Sequence, residues 1–539
     1  MPTRKLASGE SLVTLHFPYA GIDVSRHFSR QPVRPIGSEQ KYSRTTAVAN
    51  NVRSFDGAQN RLRGGSRTGL GRYINAQVSN EDLIQQIDTI VGTGYTAPGG
   101  NVQSSQSARL VTLVAVSQGN VKVANPGDTV WTTPTNGLAA LNTSGVIFSA
   151  ANAGSLYFAD GTNWKYYRPA DNTVHPWVAT AGTLPVDSAG NKPRLIVTWR
   201  GRTVLSGLLK DPQNWFMSAV DAPGDFDYGP LSVTPTQAVA GNNSTLGLVG
   251  DVVNCMIPFT DDVLIFGGDH TIWIMQGDPM DGGRIQLVTN LIGMAWGAPW
   301  CQGPNGEIYF FSNQCGIYVM TPGQPIQRIS QPIDNLLKTV NTGSNTIRMV
   351  WDDRFQGFHV FVTKTSGSHR AVHAFYEARA GAWFTDSFGN NDHNPLCCCT
   401  FDGNTSDDRV ALIGSWDGYV RFLDAAATDD DGTEITSTVV IGPFLTADLD
   451  EVLLKDVQAL LGATSGVVSY SFHVGQSAET ALAATAVATG TWDANRNLSD
   501  FVRRSGHAIY VRITATNQWA MESIRLRLVS LGKVRRRGA

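Results

Sequence analysis

The sequence predicts a mainly-β chain. Its centre is a β-propeller of about six to eight blades over residues 108–424, preceded by an extended basic N-terminal arm with a small platform segment (1–107). A small C-terminal β-domain with a basic tail follows (425–539). Three observations carry this reading: one strand–turn–strand unit recurs through the middle of the chain, sustained helical periodicity is nearly absent, and the pattern changes after Asp424.

The recurring unit is an apolar strand, a tight polar turn containing Gly, Asp or Asn, and an aromatic strand. It reads LVAVSQGNVKVA (113–124), LYFADGTNWKYY (156–167), LIFGGDHTIWIM (264–275), IYFFSNQCGIYVM (308–320) and ALIGSWDGYVRFLD (411–424), with less regular copies near 194–219 and 356–388. A four-stranded propeller blade needs about 40 to 50 residues, so uneven spacing between copies reflects loops of different length. Each small sheet has two apolar faces that it cannot bury alone, and radial stacking covers them while leaving only short edges. Trp164, Trp273, Tyr309, Tyr318 and Trp416 are the side chains expected in the blade-to-blade gaps. A β-sandwich is the competing architecture, although seven or more units would make an unusually long one.

In the first 72 residues Pro18, Pro32 and Pro35 remove backbone donors, and the segment reads as extended. Asp56-Gly57 and Gly64-Gly65 punctuate short β-prone pieces. Residues 80–91, NEDLIQQIDTIV, are the best helix candidate of the first half, with Asn80 as its cap. Beyond the turn-rich TDDDGTE (428–434), three longer strands are expected at 467–475, 508–515 and 523–532. In the last of these, Ile524, Leu526 and Leu528 alternate with Arg525 and Arg527, the pattern of a half-buried strand with an arginine face.

At 539 residues, 42% apolar and 16% charged, the chain is too ordered in composition for a disordered or coiled-coil protein and long enough for two to four structural units. No apolar run reaches the roughly 18 to 20 residues that cross a bilayer, and no apolar stretch follows the basic start, so neither a membrane-spanning segment nor a secretory leader is expected. Folding in a reducing cytoplasm fits the six cysteines, read as buried free thiols. The net charge of −3 hides an asymmetry. Residues 1–72 hold 12 Lys/Arg against 4 Asp/Glu, residues 501–539 hold 9 against 1, and the body between holds 21 against 40. Basic ends on an acidic body suggest docking on acidic partners or nucleic acid, with Phe55, Leu62, Leu70 and Tyr73 as apolar anchors among the arginines.

Catalytic patterns are poor. His369 and His373 have zinc-protease spacing, but Arg370 stands where the general base belongs, and on a strand the two would lie about 13 Å apart. Asp261–Asp262, Asp352–Asp353, Asp407–Asp408 and Asp429–Asp431 read as turn residues, not as carboxyls facing across a cleft. RLRGGSRTGLGR lacks the Gly-Lys-Ser/Thr of a phosphate loop, and no Gly-x-Ser-x-Gly occurs. No enzyme, metal or cofactor is expected.

Several segments together carry a family likeness: NVRSFDGAQNRLRGGSRTGLGRY, GDPMDGGRIQLVTNLIGMAWG, GSWDGYVRFLD, RRSGHAIYVRI and WAMESIRLRLVSLGKVRRR. This mosaic, spread over most of the chain, resembles the tail nozzle or hub proteins of short-tailed bacteriophages, the phage stabilisation proteins. The resemblance implies a virion protein of the tail, assembled in the host cytoplasm as a ring, typically hexameric, below the portal and its adaptor. It implies a propeller with extra β-domains, a closed DNA exit channel and attachment of the tail tip, fibre or spike. Under it, Arg53, Arg61, Arg63, Arg67, Arg72, Arg525, Arg527, Arg535, Arg536 and Arg537 would dock on an acidic adaptor or neighbour. The acidic body would keep the lumen from gripping DNA phosphates. Deletion of residues 1–72 is then expected to leave a folded monomer that cannot join the tail. Two other readings stay open: a glycan-binding or glycan-cleaving propeller of a receptor-binding tail component, and a propeller interaction scaffold.

Overall fold

The computed structural model describes residues 10–36, 41–57, 59–80, 82–91, 111–230, 233–403, 408–445 and 450–532. Seven antiparallel sheets form a β-propeller. Blade one comprises Ile84–Val91, Val111–Ser117 and Asn120–Ala124, and blade two Phe148–Asn152, Ser155–Ala159, Trp164–Arg168 and Thr173–Pro176. Blade three takes Leu195–Trp199, Arg202–Ser206, Trp215–Met217 and Val239–Ala240. Blade four takes Cys255–Thr260, Val263–Gly267, Ile272–Gln276 and Arg284–Thr289. Blade five has Trp300–Gln302, Ile308–Phe311, Ile317–Met320 and Gln327–Arg328. Blade six has Asn345–Asp352, Gly357–Lys364, Arg370–Glu377 and Ala382–Asp386. Blade seven has Cys397–Asp402, Arg409–Gly414 and Val420–Asp424, plus Gly69–Arg72 from the N-terminal region.

The recurring sequence unit is the hairpin of second and third strands in each blade, and the two less regular copies are the hairpins of blades three and six. Between all successive blades except four and five, first strands lie against one another around the axis, and the first strand of blade seven meets that of blade one, which closes the ring. Apolar clusters fill the gaps. Ile84, Ile87 and Leu113 of blade one pack on Cys397, Phe401 and Leu412 of blade seven. Ile257 and Ile265 of blade four pack on Ile308 and Phe310 of blade five. Covering both faces of each sheet in this way is what makes a small sheet stable.

Three expectations need correction. Residues 80–91 are not a helix, because Ile84–Val91 is the innermost strand of blade one, which therefore starts ahead of residue 108. A β-bulge between Ile84 and Gln86 puts Ile84 and Ile87 into the same cluster, so residues three apart share a face and mimic helical spacing. The N-terminal region is also not a free arm. Gly69–Arg72 pairs with Val420–Asp424 as the outermost strand of blade seven, and Ala49–Asn50 bridges Ala382–Asp386 to Ser437–Phe444. A truncation at residue 72 would thus remove part of the ring closure.

The C-terminal segment, lastly, does not stand apart from the propeller. Blade six continues through Ala49–Asn50 into Ser437–Phe444, Ala508–Ala515, Val468–Gly475 and Ala486–Trp492, one nine-stranded sheet. A second sheet, ordered Glu10–Leu15, Met521–Gly532, Glu451–Leu461 and Asp500–Gly506, covers it as a sandwich. One core runs from Phe358 and Trp383 of blade six to Val511, Ile524 and Leu526 of the sandwich, with Phe17 wedged between Phe384 and Trp519.

Candidate functional site

The arginine-rich segment forms a seam between propeller and sandwich. Strand pairing carries it past the ends of blades six and seven, where buried carboxylates meet its guanidinium groups. Arg53 donates through both terminal nitrogens to Asp386 at 2.8 and 2.7 Å and lies 4.3 Å over the Phe375 ring. Arg67 donates to Asp430 at 2.7 and 2.6 Å, and its Nε reaches the Asn51 side chain at 3.0 Å. Arg63 holds Asp56 at 2.9 Å and Glu522 at 3.2 Å. Arg72 stacks on Tyr419 at 3.7 Å and holds Asp431 at 2.8 Å, a carboxylate shared with Arg421, which also binds Asp417.

Burial works against the Asp386 carboxylate, but Arg53 and Arg67 outweigh it and hold its pKa below the ordinary value. Asp431 is likewise lowered, burial being overcome by Arg72 and Arg421. Docking by Arg53 and Arg67 is therefore corrected: both are buried and engaged within the chain. The turn at 429–431, which the sequence marked only as a turn, supplies Asp430 to Arg67 and Asp431 to Arg72. The clue was the sign of the two segments, and nothing local says that they meet.

The glycine-rich RLRGGSRTGLGR serves close packing. A Cβ on Gly69 would sit 1.9 Å from the Asp429 carbonyl, and one on Gly65 would sit 2.2 Å from that of Trp519. Of the other expected docking residues, Arg61 is exposed, and Arg535, Arg536 and Arg537 lie outside the described residues. Arg525 and Arg527 stand on the outer face of the second sheet, with Ile524 and Leu526 buried beneath. Register places Leu12, Arg527, Asp456 and Phe501 in one row across four strands, with Arg527 and Asp456 3.2 Å apart. Phe501 is 71% exposed, and Leu12 and Leu460 are also exposed. The row ends at both edge strands, Glu10–Leu15 and Asp500–Gly506.

The aromatic residues singled out from sequence lie at interfaces of several kinds. Tyr309 of blade five stacks on Phe358 of blade six at 4.5 Å, and Trp416 of blade seven stacks on His369 of blade six at 3.9 Å. Tyr318 joins the cluster between blades four and five, and Trp164 and Trp273 border the cluster shared by blades two to four. His373 is buried and bonded to Asn394 at 2.8 Å. Among the described residues no group of three or more His, Cys, Asp or Glu could hold a metal ion, and no helix is long and apolar enough to cross a membrane.

At the mouth where the first strands begin, side chains from non-adjacent blades meet one another. The Arg348 guanidinium of blade six lies 4.7 Å over the Phe148 ring of blade two, and Trp296, just ahead of blade five, packs edge-on to Phe148 at 5.4 Å. Arg194, ahead of blade three, lies 5.3 Å over Trp296. Deeper in the ring, Asp88 of blade one accepts from Ser149 of blade two at 2.7 Å, and burial pushes its carboxyl up to about 6.

No family model and no characterised protein matches the sequence. Solved structures with a loose likeness include YCF48 from Cyanidioschyzon merolae, at 10% identity and a TM-score of 0.39 over 66% of this chain and 98% of that one. BBS1N in complex with ARL6DN matches at 11% identity and a TM-score of 0.33, over 65% and 99%. PorZ of the Porphyromonas gingivalis type-IX secretion system matches at 12% identity and a TM-score of 0.39, over 80% and 46%. At these scores the likenesses carry no argument about this chain, and its assignment as a seven-bladed β-propeller rests on sheet order and ring closure.

Proposed function

We propose that the chain is a structural subunit of a short-tailed phage tail, forming the nozzle or hub ring below the portal and adaptor and carrying the tail tip. The sequence resemblance suggests the class. The observation that supports it best within the fold is the outer face of the sandwich, where Phe501, Leu12 and Leu460 stand exposed beside Arg525 and Arg527 and run out to two edge strands. Cyclic rings need one surface to bind a different surface of the neighbour, and edge strands can add to a neighbour's sheet. In this reading the rigid seam holds that face at a set angle to the propeller. DNA then passes through the centre of the ring of copies, not through the propeller, where Arg348 of blade six lies over Phe148 of blade two.

The test is copy number and mass. Six copies per particle at one vertex, with a purified protein that forms rings or joins them on adding the adaptor, is the expected result. A protein absent from particles would overturn the reading. The second reading, a ligand-binding propeller, is favoured by the cavity at the propeller mouth and would gain from binding or hydrolysis of a host-surface polysaccharide.

A further inference from the structure

Buried carboxylates in this protein are met by paired guanidinium donors, and in two cases by the Nε–Nη2 edge. Arg379 offers Nε and Nη2 to the two carboxylate oxygens of Glu377 at 2.7 and 3.0 Å, and Arg202 offers the same two atoms to Asp278 at 3.1 and 3.2 Å. Arg348 breaks the pattern. Its side chain is buried, with the residue 4% exposed, yet among the described residues its Nε and Nη2 have no hydrogen-bond partner. A buried guanidinium without an acceptor is costly, and natural proteins rarely leave one so. Its neighbours do not compensate it. The face is taken by Phe148, and the groups that would favour its charge are the thiols of Cys397 and Cys398, both pushed up by burial and neutral at physiological pH.

Arg348 lines a cavity of about 350 Å³ at the propeller mouth, together with Val146, Arg194, Trp296, Ser344 and Thr346. Among the described residues no carboxylate lines it. Arg194 brings a second guanidinium, of which Nε donates to the Gly207 carbonyl at 3.2 Å. Burial lowers its pKa, as it does that of Arg348, so both charges lie where water compensates them poorly. Two partly desolvated cations and four hydroxyl side chains, Thr342, Ser344, Thr346 and Thr365, with no acid among the described lining residues, make a site of one sign.

We propose that this cavity binds a small oxyanion, a phosphate or carboxylate group, between Arg348 and Arg194. The Nε and Nη2 of Arg348 supply the paired donors that Glu377 and Asp278 receive elsewhere, Arg194 supplies the second charge, and the Ser344 and Thr346 hydroxyls complete the shell. The volume admits a free anion or the acidic end of a small molecule. This function is independent of ring assembly: it would hold whether the protein is a tail subunit or not.

The test is calorimetry and thermal shift on the full chain with inorganic phosphate in one arm and acetate in the other, against chloride at equal ionic strength. The expected result is saturable binding in at least one arm, with a rise in melting temperature that chloride does not produce. Arg348→Met should weaken binding at least about tenfold, the loss of a charge-assisted donor pair, while leaving the anion-free protein as stable or more so. Arg194→Met, at the cavity edge, should weaken it several-fold and covers the case in which the first variant does not fold. No saturable binding in either arm, or binding unchanged in the variants that fold, overturns the proposal. So does a large loss of stability in Arg348→Met without any anion effect, which would make Arg348 only a stacking plug.

Discussion

Arg67 and Asp430, 363 residues apart in the chain, face each other through two hydrogen bonds of 2.7 and 2.6 Å with both side chains almost wholly buried. The pair ties the N-terminal segment to the turn after blade seven, so breaking it leaves a buried charge. Arg67→Met or Asp430→Asn should each cost about 3–5 kcal/mol, and joint apolar replacement should recover part of that. Urea unfolding of the single and double variants checks this, and single variants within about 0.5 kcal/mol of wild type would rule it out.

Ring closure through Gly69–Arg72 is directly testable. Gly69→Val places branched carbons against the Asp429 carbonyl, so it should displace the closing strand and cost at least about 1–3 kcal/mol. Removing residues 10–72 should abolish the cooperative melt, since blade seven loses a strand and the nine-stranded sheet loses the bridge at Ala49–Asn50. A truncated protein with wild-type melting behaviour would refute this.

His359 gives the stability a pH dependence. Burial lowers its pKa from 6.5 to about 3, against the opposing pull of Asp386, with Arg53 and Arg67 also disfavouring protonation. Among the described residues neither ring nitrogen has a hydrogen-bond partner, and Asp352 and Asp386 each stand 3.9 Å away. Between about pH 6.5 and 3 the unfolded chain takes up a proton that the folded chain refuses, so this contribution to stability is present above 6.5 and falls as the pH drops. Asp352, pushed up to about 6 by burial, works in the opposite sense over the range between its ordinary value and 6. His359→Leu isolates the histidine: relative to wild type it should gain roughly 2 kcal/mol on going from pH 8 to pH 5. An unchanged difference between the two pH values would contradict this.

The outer face of the sandwich separates assembly from folding. Arg525→Glu combined with Phe501→Ser alters exposed groups and should move the melting temperature by only a degree or two. Ring formation or incorporation into particles should drop at least tenfold, as read by light scattering and particle composition. Wild-type assembly in that variant would remove this face from the interface.

Much of the propeller could be read from the residues, because the hairpin of second and third strands is local: LYFADGTNWKYY folds against itself with its turn residues in place. The arginine face of the last strand was legible for the same reason, through strict alternation at 524–528. First strands were harder, since each pairs on one side only and takes its burial from neighbouring blades. In Ile84–Val91 the bulge turned a strand into a helical spacing. The arginines of 53–72 looked like a docking arm because their charge was visible and their partners were not.

Local order in this chain follows from apolar alternation and turn chemistry, which act over a few residues and are written in the sequence. Which charges cancel, which strand closes the ring, and why Arg348 stands over Phe148 depend on contacts between segments up to hundreds of residues apart. Those contacts form only when sheets stack around a common axis and exclude water, so folding, and not composition, turned a basic arm into a buried seam.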